Sequence, residues 1–390
     1  MSRLGLSVLI LSLVIHAVCQ GQRGGAETNR ADSADVELVS WNGEDIPLSW
    51  TFTTLFALGG EESGPSSFFR VTRHNVGSDS AGNLYVLDGQ EYRVVTYDPS
   101  GEFVRTMGAE GGGPGELRRP TALWVSPDGI ASVYDFGKNA VVRFASDGEI
   151  LPQVPLTKPL AGVRDARYFA VAPGGVVATT YDWSSTAGEI VGYNLTISAG
   201  DETTVLARVS HMGGKMVMYR CGGLNQPPIF APKISWDLCG TSMAVNQSSE
   251  YAIDVYREES LVRKVRRALS PRTATRDLAL AELGEGVRVD FGRGPCLIRA
   301  DELVDGRGFA DHIPTISGIK LSPDGHLWVQ RTAVGVEYGP IDIYAPDGSY
   351  VGTLPSGTPF PLLLLPNARI GVVVKDEFDI ERLVIQQIEP

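Results

Sequence analysis

The sequence predicts an all-β protein folded as a six-bladed β-propeller, and two observations carry this prediction. Short runs with alternating apolar residues are separated by Gly, Pro, Asn and Asp clusters, a pattern typical of strands joined by tight turns. The turns also recur at a fixed distance, since Gly82 and Gly129 are 47 residues apart and Gly101 and Gly148 are too. A period of about 40–50 residues with four strands per unit is typical of propeller blades, which stack to bury both faces of each sheet.

The N-terminal strands are expected to close the ring. Val36–Val39 and Leu48–Leu58 have the composition of strands and precede the first blade. Because an unpaired sheet edge is prone to aggregation, closed propellers use a terminal strand to complete one blade. We therefore expect Trp50–Leu58 to pair with Leu383–Ile388 and complete the last blade.

The recurring turns divide the chain into six blades. Their predicted spans are Ser67–Met107, Pro120–Leu156, Tyr168–Val209, Met216–Arg266, Pro314–Leu354 and Phe360–Ile388. The glycine-rich link Gly108–Gly115 joins the first two blades. Neither a lysine nor a helix follows this link, so it lacks the features of a phosphate-binding loop.

One insertion is predicted between blades four and five, over Ala268–Asp311. The distance from Gly175 to Gly325 is 150 residues, about one period more than the blades between them need. Apolar spacing predicts a short helix over Thr275–Leu283 and a second over Ile298–Leu303. Insertions of this size often shape a binding site.

A stretch of blade one carries a family resemblance. The letters GNLYVLDGQEYRVVTYDPSGEFVRTMG, followed by GAEGGGPGELRRPTAL, resemble the NHL repeats of secreted bacterial six-bladed propellers. The resemblance covers Phe68–Leu156 and Pro314–Leu354. It implies the fold but no single activity, because propellers support many unrelated functions.

The N-terminus has the pattern of an export signal. Arg3 precedes the apolar run Leu4–Val18, which is too short to span a membrane. We expect residues 1–19 to be a signal peptide, residues 20–34 a disordered lead and residues 35–390 the propeller. The protein would then be periplasmic, cell-surface or secreted, with weak membrane anchoring if Cys19 is instead lipidated.

Three further cysteines remain in the mature chain. Cys221 and Cys239 are 18 residues apart and are the expected disulfide in an oxidising compartment. Cys296 is left over, either as a buried apolar side chain or as a competitor for that bond.

The net charge of −12 argues against nucleic-acid binding, which requires a basic surface. Against this acidic background, basic or protonatable side chains stand just before most of the innermost strands, which line a propeller's central channel. We expect a monomer that binds a protein, a peptide or an anionic small ligand at the mouth of that channel. The predicted binding residues are Arg73, His74, Arg119, Arg167, Tyr168, Lys233 and His312. Alternatively, these groups pair with acids such as Asp165 and Glu116 or stay solvated.

The sequence predicts neither catalytic residues nor a resident cofactor. The alternative is a lyase or hydrolase with zinc or calcium in the channel. The blade pattern is similar to that of peptidyl-amidating lyases, which hold zinc with a histidine at several inner strands. Here His74 fits, but the equivalent positions are Thr121, Phe169 and Ser317. Lactonase-type propellers hold a channel calcium, for which only Asn75 is a candidate.

Overall fold

The computed structural model describes residues 36–61, 63–68, 70–156, 169–172, 174–183, 190–199, 202–214, 216–258, 260–290, 292 and 294–390. Over these residues the chain forms six sheets of at least four strands, together with three two-stranded ribbons and two short helices. The protein is therefore an all-β, six-bladed β-propeller, as the sequence predicts. The predicted signal peptide, Cys19 and the predicted lead all lie outside the described residues.

The described part of the chain begins with two strands, β1 (Glu37–Trp41) and β2 (Thr51–Leu58). β2 pairs antiparallel with the last strand of the chain, so that Thr51 lies opposite Glu389 and Leu58 opposite Leu383. The prediction that an N-terminal strand completes the last blade is thus confirmed. β1 instead adds a fifth, parallel strand to blade four.

Blades one and two are regular antiparallel sheets whose strands follow one another from the axis outwards. The strands of blade one are β3 (Val76–Ser78), β4 (Leu84–Asp88), β5 (Arg93–Tyr97) and β6 (Phe103–Met107). Those of blade two are β7 (Pro120–Val125), β8 (Ala131–Asp135), β9 (Ala140–Phe144) and β10 (Ile150–Pro155).

Blades three and four are separated by an extra hairpin. The strands of blade three are β11 (Phe169–Ala172), β12 (Gly175–Trp183), β13 (Ile190–Ala199) and β14 (Glu202–Gly214). The hairpin consists of β15 (Met216–Tyr219) and β16 (Gly222–Asn225). The strands of blade four are β17 (Ser235–Cys239), β18 (Ser242–Asn246), β19 (Ala252–Arg257) and β20 (Ser260–Arg267).

The segment after blade four contains both described helices. Its elements are β21 (Arg272–Thr273), α1 (Arg276–Leu283), β22 (Gly286–Val289), β23 (Cys296–Arg299), α2 (Ala300–Arg307) and β24 (His312–Ile313). α1 begins where the Thr275 side chain accepts a hydrogen bond from Leu278 N, and it ends at Gly284, whose φ is 54°. Neither described helix has the length and hydropathy needed to cross a membrane.

Blades five and six complete the ring. The strands of blade five are β25 (Ile316–Leu321), β26 (Leu327–Arg331), β27 (Ile341–Tyr344) and β28 (Tyr350–Leu354). Those of blade six are β29 (Leu363–Leu365), β30 (Arg369–Lys375) and β31 (Glu381–Glu389), with β2 outside them.

Strand alternation explains how the ring forms its core. Successive residues of a strand point to opposite faces, so Leu84 and Val86 pack towards blade six while Tyr85 and Leu87 pack towards blade two. Six apolar clusters of this kind fill the six spaces between neighbouring blades. Because each blade is buried on both faces, its middle strands read as nearly continuous apolar runs.

The sequence misassigned the region around blade four. It placed Met216 in that blade and predicted one insertion, but β15 and β16 form a separate hairpin and blade four begins only at Ser235. Pro227, Pro228 and Pro232 lie between them, and proline cannot donate to a sheet ladder. The described residues therefore contain two insertions, residues 216–234 and 268–313. The second predicted helix also begins later than expected, at Ala300.

The two insertions pack on each other and form what we call the accessory layer. Ile229, Ala279 and Val304 form its small buried core. The Ile229 amide donates to the Gly308 carbonyl at 3.0 Å, and the Arg307 guanidinium donates to the Pro227 carbonyl.

The predicted Cys221–Cys239 disulfide is wrong. Cys221 bonds to Cys296, with their Cα atoms 5.7 Å apart, and Cys239 is free. The physical reason is placement, because Cys239 ends the innermost strand of blade four while Cys221 lies in the hairpin outside it. The disulfide thus joins the two insertions of the accessory layer.

Residues 36–58, which we call the strap, run along three blades. After β1, the Leu48 amide donates to the Thr353 carbonyl of β28 at 3.0 Å, and β2 then joins blade six. Where the strap passes blade five, Asp45 meets a group of buried charges. We call Asp45, Arg267, Arg331 and Asp342 the strap cluster.

The strap cluster is a closed set of ion pairs. Arg267 and Asp342 are 2% and 0% exposed and pair at 2.6 Å, and Arg267 also pairs with Asp45. Arg331 pairs with Asp45 at 2.6 Å, while Thr353 donates to Asp342 at 2.6 Å. The guanidinium of Arg267 further stacks on Tyr350, 4.8 Å from the ring centre. These contacts connect the strap to blades four and five.

Candidate functional site

The innermost strands of the blades surround a common axis, and a cavity of about 100 Å³ lies on this axis. We call it the axial cavity. It is lined by residues from blades one, two, four, five and six, among them Arg73, Trp124, Asp237, Cys239, Lys320 and Leu363. The charged members of this lining set it apart from the apolar spaces between blades.

Arg73 reaches across the axis. It precedes β3 in blade one, and its Nη2 donates to the carbonyl of Trp236 in blade four at 2.8 Å. Because blades one and four are opposite in a six-membered ring, this contact crosses the channel. The turn before β3 is braced by Asn75, whose Oδ1 accepts from the Thr72 amide at 2.6 Å.

Lys320 and Asp237 face each other in the cavity from neighbouring blades. Lys320 Nζ lies 3.5 Å from Asp237 Oδ1, and their side chains are 11% and 4% exposed. Asp237 Oδ2 accepts from the Leu321 amide at 2.9 Å, which fixes the carboxylate. Together with Arg73, these residues form what we call the axial cluster.

The surroundings of the axial cluster shift the pKa values of Lys320 and of the neighbouring Cys239. Burial lowers the pKa of Lys320, and the like charge of Arg73 adds to this, although Asp237 opposes it. Burial also raises the pKa of the Cys239 thiol to about 11, with help from the charge of Asp237. At neutral pH the thiol is therefore protonated and a poor nucleophile.

The carboxylate of Asp79 also lines the cavity, but both of its oxygens already accept hydrogen bonds. Asp79 Oδ1 accepts from the amides of Ala81 and Asn83, at 3.0 and 2.9 Å. Its Oδ2 accepts from the Asn83 side chain at 2.7 Å and from the Tyr85 hydroxyl at 3.2 Å. Four donors thus hold this carboxylate in its own turn, which leaves the axial cluster as the charged group that a small ligand would meet.

Among the predicted binding residues that the structure describes, only Arg73 lines the axial cavity. His74 is partly buried, and its carbonyl accepts from the Leu123 amide at 2.7 Å. Arg119 is exposed and lies 4.9 Å from the ring centre of Phe136. Lys233 and His312 are exposed. Arg167 and Tyr168 lie outside the described residues.

Sequence reasoning missed Lys320 and Asp237. Each sits in an innermost strand among apolar residues, in the stretches ISGIKL and SWDLC. A charged side chain at a position buried on both faces is costly unless it is paired, so its presence there was a usable signal. The predicted binding residues instead all precede those strands.

The positions considered for a channel metal have other roles. Thr121 and Ser317 hydroxyls face carbonyls of their neighbouring strands at 3.3 and 3.4 Å, and Phe169 is buried. The amide of Asn75 braces its own loop, as described above. Among the described residues, no group of three or more His, Cys, Asp or Glu side chains could hold a metal ion.

A comparison with known protein families supports the architecture. A family model described as a 6-bladed beta-propeller matches residues 74–155, which span blades one and two. No protein of curated function has a sequence that matches this chain.

Solved structures resemble the chain at low identity. A protein from Bacteroides fragilis that is predicted to be exported is 12% identical, with 91% of this chain and 100% of that chain covered and a TM-score of 0.49. A gluconolactonase from Xanthomonas campestris is 14% identical, with 81% and 86% covered and a TM-score of 0.39. A virginiamycin B lyase from Staphylococcus aureus is 11% identical, with 88% and 89% covered and a TM-score of 0.33. Similarities at this level carry no argument about function.

Proposed function

We propose that the protein is an exported six-bladed propeller that binds, without transforming it, a ligand carrying a carboxylate or similar anionic group. The anionic group would enter the axial cavity. The observation that carries this proposal is the convergence of Arg73 and Lys320, from blades one and five, on one small cavity. Cations with little access to water attract an anion more strongly than solvated ones do.

The size of the cavity decides how much of a ligand can enter. Pockets that enclose a whole drug-sized ligand measure about 300–1,000 Å³. About 100 Å³ accommodates only a few heavy atoms, such as a carboxylate with its neighbouring carbons. The ligand is therefore a small organic acid, or a peptide whose carboxylate is inserted while the rest stays outside.

Two observations support export. The apolar run Leu4–Val18 near the start of the chain has the pattern of a signal peptide. The Cys221–Cys296 disulfide is also of a kind that persists in oxidising compartments. We retain the basic residues Arg119 and Lys233 and the protonatable His312 as residues that would steer an anion towards the channel, because exposed charges act mainly on association rates.

A carboxylate–amide comparison tests the proposal. Thermal shift and calorimetric titration would use matched pairs, such as N-acetylglycine with N-acetylglycinamide and a peptide with its C-terminally amidated form. Only the carboxylates should bind, and Lys320→Met should weaken that binding about tenfold or more, since hydrogen bonds to charged groups contribute about 1.5–3 kcal/mol.

The matched control is Lys375→Met, because this lysine is 59% exposed and pairs only distantly with Glu381, at 4.0 Å. It should leave binding unchanged. Equal binding of carboxylates and amides, or full binding by Lys320→Met, would contradict the proposed function.

A further inference from the structure

The hairpin of the accessory layer exposes two methionines on one face. Met216 is 60% exposed and Met218 is 75% exposed, although both side chains are apolar. In an antiparallel pair, residues directly opposite each other point to the same side. Met218 lies opposite Gly223 and Met216 opposite Asn225, so the two thioethers share a face that has a glycine at its centre.

The two sulfur atoms lie close together. Each Sδ is 2.9 Å from the position that a Cβ on residue 223 would occupy, so the sulfurs are at most twice that distance apart. A metal–sulfur bond is about 2.3 Å long, so one ion can bridge sulfurs about 4.6 Å apart. Exposed, unbranched methionine side chains reach that spacing by rotation about their side-chain bonds.

The opposite face of the hairpin is anchored. A Cβ added to Gly306 of α2 would lie 2.6 Å from the Tyr219 hydroxyl and 2.7 Å from the Val217 side chain. Both side chains therefore pack closely against this glycine. The Cys221–Cys296 disulfide and a 2.7 Å hydrogen bond from Arg220 to the Leu297 carbonyl hold the hairpin turn to β23. The methionine face is therefore presented outward from a fixed base, which lowers the entropic cost of binding.

We propose that Met216 and Met218 form a binding site for a soft monovalent cation, Cu(I) or Ag(I), separate from the axial cavity. Thioether sulfur is a soft, neutral ligand that selects Cu(I) over hard cations such as Mg²⁺ and Ca²⁺, which prefer oxygen. Two such sulfurs on one strand, both open to solvent, supply a bidentate donor set. The bound ion keeps its charge and an open coordination position.

Silver is the practical probe, because Ag(I) needs no reductant and the Cys221–Cys296 disulfide stays intact. The titration would use the full chain carrying Cys239→Ser, since the free thiol of Cys239 would otherwise compete for the ion. Labelled methionine methyl groups give a direct readout by NMR. The resonances of Met216 and Met218 should shift at one equivalent of Ag(I), while those of Met107 and Met243 should not.

Leucine variants make the test quantitative, because Met→Leu conserves volume and removes only the sulfur. Met216→Leu and Met218→Leu should each weaken silver binding at least about tenfold, and the control Met243→Leu should not. Unchanged binding in both single variants would overturn the proposal. So would methyl shifts caused by an apolar peptide but not by silver, which would instead identify this face as a docking surface.

Discussion

The strap cluster and the axial cluster each combine an aspartate with basic side chains in the interior of the ring, yet their surroundings differ. In the strap cluster, Arg267 and Asp342 are almost fully buried, and each has an ion-pair partner and a further contact. In the axial cluster, Lys320 faces Asp237 at 3.5 Å and borders a cavity that Arg73 also lines.

The surroundings of a buried charge, rather than its presence, therefore separate a structural role from a binding role. The charges of the strap cluster are paired with one another and do not line the axial cavity, and removing one weakens the pairing of those that remain buried. Charges that border a cavity can be reached by an incoming ion. The strap cluster should therefore govern stability, and the axial cluster should govern binding.

The largest expected effect is on the strap cluster. Asp342→Asn removes the carboxylate that pairs with the buried Arg267 and leaves that charge with Asp45 alone. Breaking a buried pair in this way costs about 3–5 kcal/mol. Urea unfolding would measure the loss, and carboxylate binding by the folded variant should be unchanged.

The control for this variant is Asp254→Asn. Asp254 pairs with Arg266 at 2.9 Å, but both side chains are partly exposed, at 23% and 33%. Partly solvated pairs contribute about 0–1 kcal/mol. If Asp342→Asn and Asp254→Asn lost equal stability, the strap cluster would not have the structural role assigned to it.

A second effect concerns a region that contains neither cluster. Cys221 and Cys296 are 75 residues apart in the sequence, and joining them restricts the unfolded chain. Replacing both by serine should destabilise the accessory layer by about 2–4 kcal/mol. Differential scanning calorimetry should show the transition at a lower temperature, and Cys239→Ser should not shift it. An unchanged transition in the double variant would argue against this disulfide.

A smaller effect should appear in the pH dependence of binding. The pKa of Lys320 is lowered below the ordinary 10.5, mainly by burial. An anion binds the protonated ammonium, so carboxylate affinity should fall as the pH rises through that lowered value, by about tenfold, or 1.4 kcal/mol. Isothermal calorimetry between pH 7 and roughly pH 10 would measure this fall in affinity. In Lys320→Arg the side chain stays charged over this pH range, so the carboxylate affinity should stay constant. An equal fall in affinity in the wild type and in Lys320→Arg would exclude Lys320 as the cause of the pH dependence.

The smallest effect is expected at the exposed end of the strap cluster. Burial acts to raise the pKa of Asp45, but the guanidinium groups of Arg331 and Arg267 outweigh it and hold that pKa below 3.8. A carboxyl whose pKa is lower in the folded than in the unfolded chain stabilises the fold at pH values above its unfolded pKa. This stabilisation is lost as the pH falls through the folded pKa. Asp45→Asn should therefore cost about 1 kcal/mol at pH 7 and progressively less below pH 3.8.

Glu37→Gln is the matched change elsewhere in the strap, since Glu37 is 51% exposed and pairs with Arg263 at 2.7 Å. It should have almost no effect on urea unfolding at either pH. A loss that was the same for Asp45→Asn at acid and neutral pH would contradict the assigned ion pairs.

Much of the ring could be predicted from the sequence because its signals are local. The repeated turns require a backbone that glycine adopts readily, and Gly82, Gly129 and Gly325 indeed have φ between 82° and 91°. The closing strand β2 followed from the need to cover a sheet edge. The first prediction depends on short-range chemistry that repeats along the chain, and the second on the general rule that a sheet edge must be covered.

The parts that could not be predicted depend on distant contacts. Sequence spacing favoured Cys239 as the partner of Cys221, but the bond is decided by the folding of two insertions onto each other. The axial cluster likewise joins Arg73, Asp237 and Lys320 from three blades. No local pattern marks such a meeting, although the unusual charges inside two apolar strands hinted at it.

A crystal structure of the protein soaked in bromide, with the ion located by its anomalous scattering, would show whether the axial cavity binds an anion. We predict a bromide ion in the axial cavity, in contact with Arg73 and Lys320, and its loss in Lys320→Met. Bromide found only around Arg119, Lys233 and His312, with none in the axial cavity, would contradict the account.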